Sequence, residues 1–344
     1  MPGEVKSILL VADPGAPEVI AERLSDSLPD ALSDVTPAER QWVVTVRRHA
    51  YPIDEHADVS DVVDLIDPGG VPEEIVIYLT DLPRRQGTTP VIADISIPDR
   101  LGLISIPGAG GVFIDRRVRN MARVIVSEVT DQPDQHNPSA ARLSRTQEGD
   151  VVRYFAPTAL SRLRLLAGMV YANRPWRLAT GMSKVLMAAF ATGAVSLAYP
   201  TIWQLSATMG PWRLSTVTVL ASGALIAWLI IEHKLWERPQ SADARERAVL
   251  YNASTVVTLV IGVIIFHAGL FLLLLLTAWW TLPPGMVAEN IGHPVDFVTL
   301  LLMAWLVAAV ATLGGALGSG MEDDDAVKAA AYGARQRQRF ETRN

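Results

Sequence analysis

The chain contains no cysteine among its 344 residues. Disulfide staples, thiolate zinc sites and cysteine nucleophiles are all excluded by that one absence. Charge is sparse, at 19% of residues, while 50% are hydrophobic. Lysine is almost missing, with 4 residues against 26 arginines. Neither H-E-x-x-H nor G-x-S-x-G occurs, and no two of the 6 histidines stand four residues apart. Zincin and hydrolase-elbow chemistry therefore have no motif to rest on.

The charge that is present is divided unevenly. Residues 1–180 carry 19 Lys+Arg against 25 Asp+Glu, and residues 181–344 carry 11 against 11, gathered in a few short stretches. Between those stretches lie four apolar runs, at 182–205, 212–231, 254–278 and 297–318. Each reaches the roughly 20 residues that cross about 30 Å of hydrocarbon. A wholly soluble enzyme is excluded. Basic residues precede the first run (Arg174, Arg177, Lys184), fill the linker between the second and third (Lys234, Arg238, Arg245, Arg247) and crowd the tail. The two remaining loops are nearly bare of them. The positive-inside rule then predicts four spans with both termini cytoplasmic. The start reads as having no cleavable signal, since the apolar run 8–12 is too short for one.

The first half reads as an α/β domain over residues 1–130. Continuous or β-branched apolar runs predict strands near 7–12, 42–46, 74–79, 91–97 and 101–106. Helical stripes separate or follow them at 18–32, 58–66 and 113–129. The expected fold is a mixed sheet of about five strands with flanking helices, followed by an all-α four-helix transmembrane bundle over 181–320. Residues 131–180 read as a polar linker and a basic juxtamembrane segment. The apolar stripe at 157–171 belongs either on the membrane surface or to one more helix of the cytosolic domain. Residues 321–344 form a charged cytosolic tail. Residues 1–81 carry 5 basic and 17 acidic residues, and residues 82–180 carry 14 and 8. The anionic inner leaflet is the partner that the basic part suits. With a formal net charge of −6 and its basic residues near the spans, the chain has no case for binding nucleic acid.

Four features could carry chemistry. The acidic series Asp54, Glu55, His56, Asp58, Asp61, Asp64 and Asp67 could offer oxygens to a hard cation, but it lacks the calcium-loop pattern and reads better as a solvated face. The turn Pro107-Gly-Ala-Gly-Gly111 puts Gly108, Gly110 and Gly111 between a strand and a helix, where amides attract phosphate. It matches neither the dinucleotide fingerprint nor the Walker loop, and a tight turn explains it as well. Asp81, after a buried strand, and Asp94, on the next, could pair as acid and base or bind Arg84 structurally. His267 stands alone inside the third run, either lining a polar path or hydrogen-bonding a neighbouring helix. In the fourth run Ala304, Ala308, Ala311, Gly314, Gly315 and Gly318 allow close helix approach, within the bundle or across a homo-oligomer. No motif names a cofactor or a metal.

The strings Tyr78-Leu-Thr-Asp-Leu-Pro83, Pro90-Val-Ile-Ala-Asp94, Leu103-Ile-Ser-Ile-Pro107 and Asn173-Arg-Pro-Trp-Arg177, ahead of four spans, resemble an uncharacterised family of actinobacterial membrane proteins. The resemblance implies a cytosolic N-terminal α/β domain before four helices and attaches no activity, cofactor or partner to any residue. The expected role is a ligand- or partner-binding module coupled to a membrane anchor. A transporter or channel lined by His267 is the alternative, and a membrane-tethered enzyme the third.

Overall fold

The computed structural model describes residues 5–33, 41–53, 57–87, 89–131, 143–157, 160–239, 242–318 and 328. The chain divides into two compact units, the first reaching Asn173 and the second starting at Arg174. The first runs β1 (Val5–Ala12), α1 (Ala16–Ser33), β2 (Gln41–Arg48), α2 (Val59–Ile66), β3 (Ile75–Thr80), β4 (Arg85–Gln86), β5 (Thr89–Ser96), β6 (Leu101–Ser105), α3 (Ile106–Ala109), α4 (Ile114–Thr130), β7 (Ser144–Glu148), β8 (Val151–Phe155) and α5 (Ser161–Asn173).

The sheet has order β2-β1-β3-β6-β5-β8-β7, with β4 paired to β5 off that path. β2, β1, β3 and β6 are parallel to one another. β5, β8 and β7 continue the sheet antiparallel. Among the described residues the strands are eight, not five. The additions are the two-residue β4 and the β7–β8 hairpin, which falls in the stretch read as linker. β7 (S-R-T-Q-E) is exposed along its whole length. It has no apolar alternation for a period-two reading to find, and backbone pairing alone makes it a strand.

The inner parallel strands are apolar on both faces because both faces are covered. In β1, Ile8, Leu10 and Ala12 join a core with α1 and α4, while Leu9 and Val11 join a second core with α2. β3 divides the same way, with Ile75, Ile77 and Leu79 on the first face and Val76 and Tyr78 on the second. α5 packs on α3 so closely that a Cβ at Gly168 would overlap the Pro107 backbone. Within the apolar stripe at 157–171, Met169 and Val170 are buried in this unit, with Leu165 beside them, while Leu160 and Leu163 are exposed.

Glu128 on α4 ties the hairpin down. It accepts from Arg145 Nε (2.8 Å), Arg145 Nη2 (3.0 Å) and the Tyr154 hydroxyl (2.5 Å). The Arg145 fork holds the Glu128 carboxyl below its usual pKa against the upward push of burial, and Tyr154 adds to the lowering.

The second unit is helical: α6 (Pro175–Gly181), α7 (Ser183–Ser196), α8 (Pro200–Thr208), α9 (Pro211–Glu232), α10 (Ala242–Thr281), α11 (Pro284–Ile291) and α12 (Phe297–Gly318). Among the described residues three helices are long and apolar enough to cross a membrane, at Pro211–Glu232, Arg245–Thr281 and Phe297–Gly315. The expected first span, 182–205, is not one helix. α7 has 14 residues, about 21 Å at the helical rise, and Pro200 begins a new helix after a break. Proline sits easily at that first position, because its missing N–H has no partner there in any case. Several small residues of α12 pack within the chain. Ala304, Ala308 and Ala311 are buried with α7 and α10 side chains, and a Cβ at Gly315 would touch Val185 and Ala189.

Two outcomes follow. Gly168→Ala should destabilise the protein by about 1–3 kcal/mol, because backbone rather than a mobile side chain stands in the way; an unchanged thermal unfolding midpoint in detergent would contradict the packing. The lowered Glu128 pKa contributes stability above the unfolded value of about 4.3 that is lost as pH falls through the folded one. Glu128→Gln should therefore lower the unfolding midpoint at pH 7, and the gap from wild type should narrow below about pH 4.3.

Candidate functional site

At its carboxyl end β1 changes abruptly from apolar to acidic. Asp13 follows Ala12 and is fully buried. Its carboxylate accepts from the Tyr78 hydroxyl (2.5 Å), the Thr80 hydroxyl (2.6 Å) and the backbone N–H of Asp81 (3.1 Å). Gly15, at φ +108°, turns the chain into α1, and its N–H donates to Glu18 Oε2 at 3.3 Å. On the neighbouring strand the His49 N–H donates to the Ala12 carbonyl. The rings of His49, Tyr51 and Tyr78 then meet edge to face in sequence.

This is where the strand order reverses. From β1 the chain goes to β2 on one side by way of α1, and from β2 it crosses by way of α2 on the opposite face to β3 on the other. In open α/β sheets ligands favour the crevice outside the carboxyl ends of the strands at such a point.

A second polar group shares the face covered by α2. The strand registers place Val11, Tyr78, Leu103, Asp94 and Arg153 in one row across the sheet. Asp94, with no exposure, accepts from Arg84 Nε at 2.9 Å and from Arg153 Nε at 2.6 Å. Burial works against the Arg153 charge, but the hydrogen bond and charge of Asp94 more than offset it, with Glu148 and Asp58 adding to the net rise in its pKa. Arg84 is buried too, and its Nη1 has no hydrogen-bond partner. Asp94 is thus committed to two guanidinium groups, while the Asp81 main chain serves Asp13. Of the readings open to these residues, the structural one with Arg84 is what the geometry places at Asp94.

The glycine-rich turn is built by close approach. A Cβ at Gly108 would strike the Val91 carbonyl, one at Gly111 the Ala167 carbonyl, and Gly110 sits at φ +92°. The Gly108 N–H donates to Ser105 Oγ (3.1 Å) and the Gly110 N–H to the Pro107 carbonyl (3.1 Å). Both amides are therefore used within the turn. What converges on it from outside is a pair of arginines, with Arg117 Nη1 and Arg164 Nη2 both donating to the Ala109 carbonyl, at 2.8 and 3.2 Å. Ser105 joins the turn to the end of β3, donating to the Leu82 carbonyl at 2.6 Å while accepting from the Arg84 N–H.

Within the acidic series, Asp54, Glu55 and His56 lie outside the described residues. Asp58 caps α2 and its N–H donates to Asp61 Oδ2 at 2.9 Å. Among the described residues no three His, Asp or Glu side chains are grouped to hold a metal ion. In α10, His267 Nδ1 lies 3.1 Å from the Thr312 hydroxyl, whose own hydrogen goes to the Ala308 carbonyl at 2.7 Å. The Nδ1 is therefore the donor, and the imidazole joins α10 to α12.

Sequence reading missed Asp13, Tyr78, Arg117, Arg153 and Arg164. Asp13 alone had a local signal, as the first charge after a buried run and before a helix. The others depend on partners far along the chain. No protein-family model, curated protein or solved structure matches this chain.

Asp94→Ala should destabilise the protein by about 3–5 kcal/mol, since it strands the buried Arg84 guanidinium. Denaturant unfolding in detergent measures it; a loss under about 1 kcal/mol would mean that Arg84 reaches water.

Proposed function

We propose that the chain is a multi-pass membrane protein whose N-terminal α/β unit binds a small anionic ligand from the cytoplasm, in a sensing or scaffolding role. The observation that carries the ligand reading is the join of β1 and β3. There the strand order reverses beside a buried carboxylate node, and Arg84, just past β3, keeps a buried N–H without a partner. A buried donor left unsatisfied is costly, and a carboxylate or phosphate would satisfy it. Asp81 and the β1–α1 turn at Gly15 would border such a ligand.

Four crossings are favoured over three by the course of α7 and α8. Val185 and Ala189 lie against Gly315, Gly193 against Val307, and Trp203 clusters with Met303. The two helices thus follow α12 antiparallel along much of its length, as one crossing broken at Pro200 would do. With the basic segments on one side, both termini then lie in the cytoplasm. The engagement of His267 by Thr312 supports a role in holding helices together over one in a conducting path.

Native mass spectrometry of the full-length protein from mild detergent tests the ligand reading. Wild type should carry a reproducible added mass that Arg84→Gln reduces. Bare wild-type masses, together with no rise in unfolding midpoint from a panel of nucleotides, phosphate esters and carboxylates, would overturn it.

A further inference from the structure

At one corner of the first unit, large apolar side chains stand in the open. Phe113 is 78% exposed, Leu160 73%, Leu163 60% and Val112 58%. They come from two segments that meet. A Cβ at Gly111 would meet the Ala167 carbonyl and one at Gly110 would meet Arg164 Cγ, so residues 110 and 111, just before Val112 and Phe113, lie against the first two turns of α5. Phe113 and Leu160 both hold positive φ, at 53° and 58°. That conformation is unfavourable for bulky residues, and neither side chain gains a buried contact from it.

Arginine lies where the two segments meet. Arg117 and Arg164 share the Ala109 carbonyl, and no Asp or Glu among the described residues pairs with either. Arg164 Nε is buried without a partner. Burial, and then the charge of Arg117, hold the Arg164 pKa below its ordinary value. Two cations that close, one of them with a buried N–H that no partner satisfies, make a binding place for an acceptor with negative charge. Exposed apolar residues interleaved with arginine are the composition of a surface that lies in a bilayer interface. The chain supplies the connection, because α5 ends at Asn173 and Arg174 begins the unit that holds the apolar helices.

We propose that the 110–113 turn and the first turn of α5 form a membrane-contact surface. Phe113, Val112, Leu160 and Leu163 enter the interface, and Arg117 and Arg164 take the phosphate of an anionic lipid headgroup between them. Arg116 and Arg162, both exposed, flank the site and add attraction to an anionic leaflet. The inference rests on the membrane reading above and is independent of the ligand at the strand ends.

The absence of native cysteine makes the test clean. Phe113→Cys in the full-length protein carries a nitroxide label, with Val112→Cys as a second site, in nanodiscs of phosphatidylcholine with or without phosphatidylglycerol. Collision with oxygen and with a water-soluble nickel chelate reports immersion. Val46→Cys on β2 is the aqueous reference and Leu272→Cys in α10 the lipid reference. At 113 or 112, oxygen access should rise and nickel access fall several-fold relative to 46 when phosphatidylglycerol is present. Adding Arg117→Gln and Arg164→Gln should abolish the phosphatidylglycerol dependence. Labels at both sites as open to nickel as at 46 would overturn the proposal, and labels shielded from both reagents would overturn it in favour of a protein contact. An aqueous reading at 272 would remove the membrane reading and this inference together, whereas a lipid reading there with an aqueous one at 113 and 112 would remove the inference alone.

Discussion

Two carboxylates sealed from water, Asp13 and Asp94, govern the α2 face of the sheet. An ionised carboxylate in such a place must be met by donors, and each is met differently. Asp13 takes two hydroxyls and one main-chain N–H, all from β3 or the residue that follows it. Asp94 takes two guanidinium groups, from the β3–β4 connection and from β8. The first arrangement locks β3 to β1 and the second locks the antiparallel extension to the parallel half. A sheet that changes strand direction between β6 and β5 is thereby held across the change by charge as well as by its backbone ladder. The same groups leave the buried Arg84 Nη1 without a partner, which is why the structural network and the proposed ligand site share a residue.

Elsewhere, side chains that are missing do much of the organising. The α3–α5 contact depends on Gly111 and Gly168, each facing backbone of the other segment. In the helical unit Gly315 performs the same service for α7 on α12, and Gly193 admits Leu274 and Val307. Apolar helices in a bilayer gain little hydrophobic energy by coming together, so close backbone approach and a few hydrogen bonds hold such bundles. Trp305 to Thr218 and His267 to Thr312 are such bonds.

Legibility followed the range of the interaction. The parallel strands were readable because a strand buried on both faces has a continuous apolar run, as 7–12 and 74–79 do. The β7–β8 hairpin was not, since β7 carries no apolar residue and exists only through its pairing with β8. The glycine-rich turn was visible as a feature, but its use was not. Gly108 and Gly111 read equally well as a phosphate cradle or a tight turn until Val91 and Ala167 were placed beside them. Arg164 lies in the stretch read as a basic juxtamembrane segment. Its meeting with Arg117 joins residues 47 positions apart, which no local spacing encodes.

The sequence by itself determined the division into an α/β half and an apolar helical half, because hydrophobic periodicity and run length are local quantities and each bears directly on what can be buried. It also determined what chemistry is impossible without thiols. Only the tertiary structure decided the number of strands, the break of the first apolar segment at Pro200, and the pairing of Asp13 with β3 and of Asp94 with Arg84 and Arg153. Those outcomes depend on which distant backbone or charge arrives at a given place, and a buried polar group is satisfied by whatever the fold brings within about 3 Å of it.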